Sequence, residues 1–220
     1  MIKYFYKLLF ACMLAICCSM TFAQPFIDEI KAFKKQDSIE FPPKRAILFV
    51  GSSSFNYWKD MADYFPGYTI INRGFGGSSL PDVIRYAKDI IFPYHPKQVV
   101  IYCGENDLAM SDTTSARTVF YRVKKLFALI RTKMPGEKIA YVSLKPSPSR
   151  MHLKSKMLEA NRLIKNYIAK QKNISFIDVY NKMLDPNGAP ISEIFNEDSL
   201  HMNAKGYAIW QKTIQPYLIK

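Results

Sequence analysis

Two short stretches near opposite ends of the chain carry the residues best suited to chemistry. An apolar run ending in a glycine leads into three serines, Ser52, Ser53 and Ser54, and much later Asp198 precedes His201 by three positions. A serine hydroxyl is a weak nucleophile until a neighbouring base takes its proton. In a turn, this spacing can bring the carboxylate against the imidazole and leave the other ring nitrogen for a serine. The pattern predicts an activated hydroxyl, with helix capping or a plain surface turn as the alternatives.

His201 is the predicted base because it is the one histidine of three with an acid close by in sequence. His95 lies between prolines ahead of a strand, at the wrong end of that strand for a site. His152 begins a helix in a basic region without a nearby carboxylate. Asp198 is therefore the predicted orienting group, which holds the tautomer of the ring and stabilises the imidazolium.

Donors for a developing oxyanion follow the next two predicted strands. Gly76 and Gly77 can present an unobstructed backbone N–H, since glycine accepts turn conformations that other residues avoid. Asn106 offers a side-chain amide, and the N–H of Ser53 would be a third donor. Tight turns are the alternative explanation for both segments. Their position after consecutive strands favours an oxyanion-binding role.

The elements that must position these residues are short apolar strands that alternate with helical patterns. The predicted strands are 46–50, 68–72, 98–102, 138–144 and 174–179. Helices are expected within 24–44, over 55–62, from Pro81 to Ile91, from Ala116 to Lys133, from Met151 to Lys170 and from Asn203 onward. This alternation predicts an α/β fold with a parallel sheet covered on both faces. Right-handed crossovers then bring the strand ends, and the polar residues after them, to one rim.

The first 23 residues have the composition of a signal peptide, and residues 24–220 are predicted to form one domain. Lys3 and Lys7 precede an apolar run, and Ala23 ends a small-x-small cleavage site. The run is shorter than the roughly 20 residues that a membrane-spanning helix needs. We therefore expect a secreted or periplasmic protein cleaved near Ala23. Its remaining cysteine, Cys103, lies in an apolar run and is expected in the core.

Positive charge is concentrated in one part of the chain. The net charge is +13, and the segment from Arg117 to Lys172 holds 15 Lys or Arg against two acids, Glu137 and Glu159. Such a face could attract an anionic ligand, or it could simply be a solvated surface. No zinc-finger, nucleotide-binding or RNA-binding motif accompanies it, so no nucleic acid is expected. No cluster of metal-ligand residues and no cofactor motif occurs, so neither a metal nor a cofactor is expected.

Four blocks of the sequence resemble the SGNH (GDSL-like) hydrolase family. In chain order, the blocks are Gly51-Ser52-Ser53, the Asn72–Gly77 segment, Gly104-Glu105-Asn106-Asp107 and Asp198-x-x-His201. One branch of the family, similar to the platelet-activating-factor acetylhydrolase catalytic subunit, also contains the Gly-Phe-Gly-Gly motif found here at residues 74–77. Serine replaces the usual aspartate of the first block, so the register favours Ser53 and leaves Ser52 and Ser54 open. The choice of Gly77 over Gly76 depends on the register in the same way. The sequence has no Gly-x-Ser-x-Gly elbow, which argues against an ordinary α/β-hydrolase.

The resemblance implies a three-layer α/β/α sandwich with a five-stranded parallel sheet in flavodoxin-like order. It also implies metal-free ester hydrolysis, with Ser53 as nucleophile, His201 as base and Asp198 as orienting residue. Ser53, Gly77 and Asn106 would form the oxyanion hole. The expected protein is a secreted serine esterase that removes a small acyl group, with acetyl favoured, from a substrate such as an acetylated glycan or a lysophospholipid. The alternative is a non-catalytic glycan- or lipid-binding module on the same scaffold.

That strand order also places the helices after strands three and four side by side. The basic excess would then form one surface, with Lys145 and Arg150 near the rim of the site. We predict that these two residues help to bind an anionic substrate.

Overall fold

Five apolar segments form a parallel sheet in the expected flavodoxin-like arrangement. Numbered along the chain, the strands lie side by side in the order 2-1-3-4-5. The computed structural model describes residues 25–220, so the predicted signal peptide, residues 1–23, lies outside the described residues. The strands are β1 (Ile47–Gly51), β2 (Ile70–Gly74), β3 (Gln98–Tyr102), β4 (Lys138–Val142) and β5 (Ile174–Ile177). Within residues 25–220, no helix is long and apolar enough to cross a membrane.

Helices cover both faces of the sheet and complete the three layers. They are α1 (Ile27–Ile39), α2 (Ser53–Asn56), α3 (Leu80–Ile90), α4 (Glu105–Ala109), α5 (Ala116–Lys133), α6 (Lys154–Ile168) and α7 (Ala204–Ile214). Alternate residues of β1 serve the two layers: Leu48 and Val50 pack with α1, α3, α5 and α6, whereas Phe49 packs with α2 and α7. A strand buried on both faces must be apolar throughout, which explains the continuous apolar run.

The helix predicted over residues 55–62 is instead two short pieces. Helix α2 ends at Asn56, and a 3₁₀ turn covers Met61–Tyr64. The side-chain amide of Asn72 donates hydrogen bonds to the carbonyls of Phe55 and Trp58, at 2.7 and 3.3 Å. These carbonyls are thus satisfied by the neighbouring strand, and the chain turns away after one helical turn.

Strands β4 and β5 both end earlier than predicted, because backbone N–H groups that follow them donate hydrogen bonds to side chains instead of to a neighbouring strand. The N–H of Leu144 donates to the amide oxygen of Asn161 at 2.9 Å. The N–H groups of Val179 and Tyr180 donate to the hydroxyl of Ser143, both at 3.1 Å. Pairing of the two strands therefore stops at this edge of the sheet, and the loops that carry polar residues begin.

Gly51 connects β1 to the three serines, and no other residue fits its position. Its φ is +147°, and a Cβ atom there would lie 1.8 Å from the carbonyl oxygen of Tyr102 on β3. Glycine alone accepts both the backbone angle and this close approach. The turn therefore delivers Ser53 directly above the central strands.

Candidate active site

Ser53, His201 and Asp198 form a connected chain of hydrogen bonds at the carboxyl edge of the sheet. The Oγ of Ser53, the first residue of α2, lies 2.9 Å from Nε2 of His201. The Nδ1 of that ring lies 2.5 Å from Oδ2 of Asp198. The ring of Tyr57 packs edge-on against the imidazole, with 4.6 Å between the centroids. The structure thus brings together the three residues that the sequence singled out, in the order hydroxyl, imidazole, carboxylate.

A tight turn fixes Asp198 against His201. The second carboxylate oxygen, Oδ1, accepts hydrogen bonds from the N–H groups of Leu200 and His201, both at 2.9 Å. Ser199 takes a left-handed conformation, with φ of 55°, to close the turn. Burial opposes ionisation of Asp198, but these N–H groups and the ring of His201 outweigh it and lower its pKa to about 2. Asp198 is therefore a carboxylate at any pH where an imidazole can act as a base.

The neighbouring serines are placed differently from Ser53. Ser52 and Ser54 are almost completely buried, whereas Ser53 is partly exposed. Among the described hydrogen bonds, only the Ser53 hydroxyl of the three reaches His201. The geometry therefore favours Ser53 as the reactive hydroxyl.

Three unused N–H donors follow β1, β2 and β3. The N–H of Ser53 is at the first position of a helix, where no helical acceptor exists. Gly77 lies in the left-handed region, with φ of 75°, and its N–H has no partner among the described hydrogen bonds. The side-chain amide of Asn106 donates one hydrogen bond to the carbonyl of Ser78 at 3.0 Å, and its second N–H has no partner among the described hydrogen bonds. These groups suit an oxyanion, while the choice of Gly77 over Gly76 stays a prediction.

Asp107, the last residue of the third block, braces the site from below. Its buried carboxylate accepts the N–H of Leu80 at 2.9 Å and the guanidinium of Arg122 at 2.7 Å. It therefore ties α4 to the start of α3 and to α5. Burial raises the pKa of Asp107, although these partners oppose the rise. The sequence predicts no role for Asp107, whose position beside Asn106 is its only signal.

Lys145 and Arg150 lie beside this site, but they are held by a residue that the sequence analysis did not single out. Glu105, the first residue of α4, accepts from the ammonium of Lys145 at 3.2 Å and from the guanidinium of Arg150 at 3.0 Å. The hydroxyl of Tyr102 also donates to Glu105. Lys145 is only 1% exposed, so the expectation that it lies at the rim is corrected: Glu105 draws its ammonium inward. A substrate-binding role for these two residues stays a prediction.

Charge within this buried group is mutually dependent. Burial disfavours the ionised form of Glu105, but Lys145 and Arg150 outweigh it and hold the pKa of Glu105 below its ordinary value. Burial lowers the pKa of Lys145, and the carboxylate of Glu105 opposes that change. The carboxylate and the ammonium thus each favour the charged form of the other.

The remaining sequence predictions concern metals, the cysteine and the basic face. Within residues 25–220, no three His, Cys, Asp or Glu side chains are grouped as metal ligands. Cys103 is buried, as expected. Helices α5 and α6 pack side by side, and the ammonium of Lys124 lies over the rings of Phe120 and Tyr167. Binding of an anionic ligand to this face stays a prediction.

A hydroxyl, an imidazole and a carboxylate at the carboxyl edge of this parallel sheet define a hydrolase of the flavodoxin-like α/β class. The model of the GDSL-like lipase/acylhydrolase family matches residues 45–209. The chain therefore belongs to that family, and the resemblance found in the four sequence blocks is confirmed.

Solved structures share the fold at low sequence identity. A Streptococcus pneumonia protein provisionally described as a platelet activating factor is 18% identical, with a TM-score of 0.76 over 87% of this chain and 92% of that one. A GDSL-like lipase from Bacteroides thetaiotaomicron is 22% identical, with a TM-score of 0.71 over 86% and 96%. A carbohydrate esterase family 3 protein from Talaromyces cellulolyticus is 14% identical, with a TM-score of 0.61 over 78% and 95%. No curated protein matches the chain in sequence.

Proposed function

We propose that the protein is a secreted serine esterase that removes a small acyl group through an acyl-enzyme. The observation that carries this proposal is the chain of contacts from Ser53 Oγ to His201 Nε2 and from His201 Nδ1 to Asp198. Membership of the lipase/acylhydrolase family supports an ester as the substrate.

In the first half of the proposed reaction, His201 Nε2 takes the proton of Ser53 while Oγ attacks the ester carbonyl. Asp198 stabilises the imidazolium that forms. The tetrahedral intermediate then collapses, the bond to the alcohol breaks, and the imidazolium gives its proton to the departing oxygen. Ser53 is left as an acyl ester.

In the second half, water takes the place of the alcohol. His201 removes a proton from water as it attacks the acyl-enzyme, and the same proton later returns to Ser53 Oγ as the carboxylic acid leaves. In both halves the oxyanion is stabilised by the N–H groups of Ser53, Gly77 and Asn106. In a measured case, removal of one such donor raises the barrier by roughly 2.7–4 kcal/mol.

Acetyl is the favoured acyl group, and acetylated glycans or lysophospholipids are the favoured substrate classes. Similarity in fold to a carbohydrate esterase family 3 protein supports the glycan case. The predicted cleavage near Ala23 would place the enzyme outside the cytoplasm.

A panel of esters tests this function. The chain from Gln24 onward would be given chromogenic acetate, butyrate and octanoate esters, acetylated sugars and lysophospholipids, with acid release measured for wild type and Ser53→Ala. We expect Ser53-dependent turnover that declines with acyl length. Binding of acetylated sugar without turnover of any ester would instead support the non-catalytic binding module.

A further inference from the structure

The buried cluster of Glu105, Lys145 and Arg150, beside the catalytic residues, holds two cations and one carboxylate. Glu105 is the single carboxylate shared by Lys145 and Arg150, so it can balance only one of their charges. A largely buried positive charge is unfavourable unless something pairs with it. The cluster therefore has capacity for one anionic group from outside the chain.

Of the two cations, Arg150 is the one that a ligand can reach. The side chain of Lys145 is 1% exposed, whereas that of Arg150 is 18% exposed. Among the hydrogen bonds of residues 25–220, the Arg150 guanidinium makes only the one from Nη1 to Glu105. A guanidinium carries five N–H groups in a planar fork that matches carboxylate and phosphate oxygens. Most of that fork is still available.

Arg150 also lies next to both halves of the catalytic machinery. The backbone N–H and the hydroxyl of Ser149 donate to the carbonyl of Ser199, at 3.1 and 3.0 Å, and so tie this segment to the turn that holds Asp198. On its other side, the anchor Glu105 directly precedes Asn106 on α4.

A second carboxylate, Asp198, acts on this cluster, but its oxygens already accept other hydrogen bonds. Asp198 acts on Lys145 through space, but its two oxygens accept from the His201 ring and from two backbone N–H groups. Glu105 also holds the guanidinium on the α4 side. Arg150 therefore keeps an open fork instead of pairing with Asp198.

We propose that Arg150 binds an oxyanionic group of the substrate, a carboxylate or a phosphate, close to the ester that Ser53 attacks. Glu105 and Lys145 are positioning residues that hold the guanidinium in place. This inference rests on the proposed esterase function and narrows its substrates to esters that carry a negative charge near the acyl group.

Matched pairs of acetyl esters test the inference. One pair is acetylated glucose and acetylated glucuronate, which differ by a carboxylate; the other is acetylated glycerol and acetylated glycerol phosphate. We expect wild type to prefer the charged member of at least one pair, and the pair that responds identifies the anion. In Arg150→Ala, the ratio of kcat/KM for charged over neutral ester should fall about tenfold to a hundredfold, chiefly through KM.

Two further variants separate binding from structure. Arg150→Lys keeps the charge without the fork and should recover part of the ratio. Arg162→Ala removes an exposed arginine of α6 that pairs with Glu159, and it should leave the ratio unchanged. Equal losses on charged and neutral esters in Arg150→Ala would show a brace for the catalytic turn and overturn the inference. An unchanged ratio in that variant would also overturn it.

A binding measurement keeps the inference testable apart from turnover. Calorimetry with Ser53→Ala should show tighter binding of the charged ester, and Arg150→Ala in that background should abolish the difference. If wild type hydrolysed no ester, the proposed function would fail by itself. If wild type hydrolysed the neutral esters and the charged ester bound no more tightly, only the inference would fail.

Discussion

Two carboxylates at the same edge of the sheet, Asp198 and Glu105, are held in opposite ways. The Asp198 side chain is 47% exposed and is fixed by groups within three residues of it in sequence. The Glu105 side chain is 4% exposed, and its cationic partners are 40 and 45 residues away. Local turn chemistry thus orients His201, the proposed base, while a long-range buried cluster holds Arg150, which we assign to substrate recognition. Loss of Asp198 should therefore affect the reaction, and loss of Glu105 should affect the fold.

The largest expected effect is on catalysis in Asp198→Asn. The asparagine oxygen can still accept the N–H groups of the turn, but it cannot stabilise the imidazolium, so kcat should fall about 10⁴-fold. The thermal midpoint should change little. Asp185→Asn is the matched control, because Asp185 accepts two backbone N–H groups in a similar turn without a histidine. Comparable loss of activity in both variants would contradict the role assigned to Asp198.

Glu105→Gln should show the reverse behaviour. It leaves Lys145 buried without a counter-charge, and breaking a buried pair in this way costs about 3–5 kcal/mol of unfolding free energy. Denaturant unfolding measures this cost. Glu159→Gln removes one partner of the exposed Glu159–Arg162 pair and should scarcely move the unfolding midpoint. A similar small shift in Glu105→Gln would show that the cluster does not stabilise the fold.

Removing the ammonium as well should recover part of that loss. The double variant Glu105→Gln, Lys145→Met removes the buried ammonium together with its carboxylate at nearly constant volume. It therefore avoids the cost of leaving Lys145 charged and unpaired, about 3–5 kcal/mol. The double variant should therefore unfold at a higher denaturant concentration than Glu105→Gln. It should still lack the preference for charged esters, because Arg150 has lost its anchor. A double variant less stable than the single one would argue against charge imbalance as the cause.

The smallest expected effect is in the dependence of stability on pH. Lys145 and Arg150 lower the pKa of Glu105 in the folded chain, so its ionised form favours folding above the ordinary glutamate pKa of about 4.3. That contribution is lost as the pH falls through the lowered value. The stability gap between wild type and Glu105→Gln should therefore be constant near neutrality and narrow below about pH 4. A gap that widened in acid would show the opposite sign of the pKa shift.

The contrast between the two carboxylates also explains which features could be predicted from the sequence: those held by local contacts could, and those held by long-range contacts could not. Alternating apolar strands and helices were enough to predict the sheet, and Gln98–Tyr102 was predicted to the residue. The spacing of Asp198 and His201 indicated their contact because both lie in one turn. Strand ends were less well predicted, since the side chains of Ser143, which follows β4, and Asn161, on α6, accept hydrogen bonds from backbone groups far away in sequence.

Glu105 could not have been assigned from the sequence for the same reason. Its neighbours in sequence suggest only a turn after a strand, and its partners come close only when β4 and the following loop fold against α4. The same long-range packing buries Lys145, which the expected strand order had placed near the rim.

The central claim is that the Ser53 hydroxyl is the nucleophile, and covalent labelling tests it most directly. The chain from Gln24 onward would be treated with a fluorophosphonate, digested and examined by mass spectrometry, with His201→Ala as the control for activation of the hydroxyl. We expect one phosphonyl adduct on Ser53 that is lost in His201→Ala. An adduct on Ser52 or Ser54, or undiminished labelling without His201, would contradict the account.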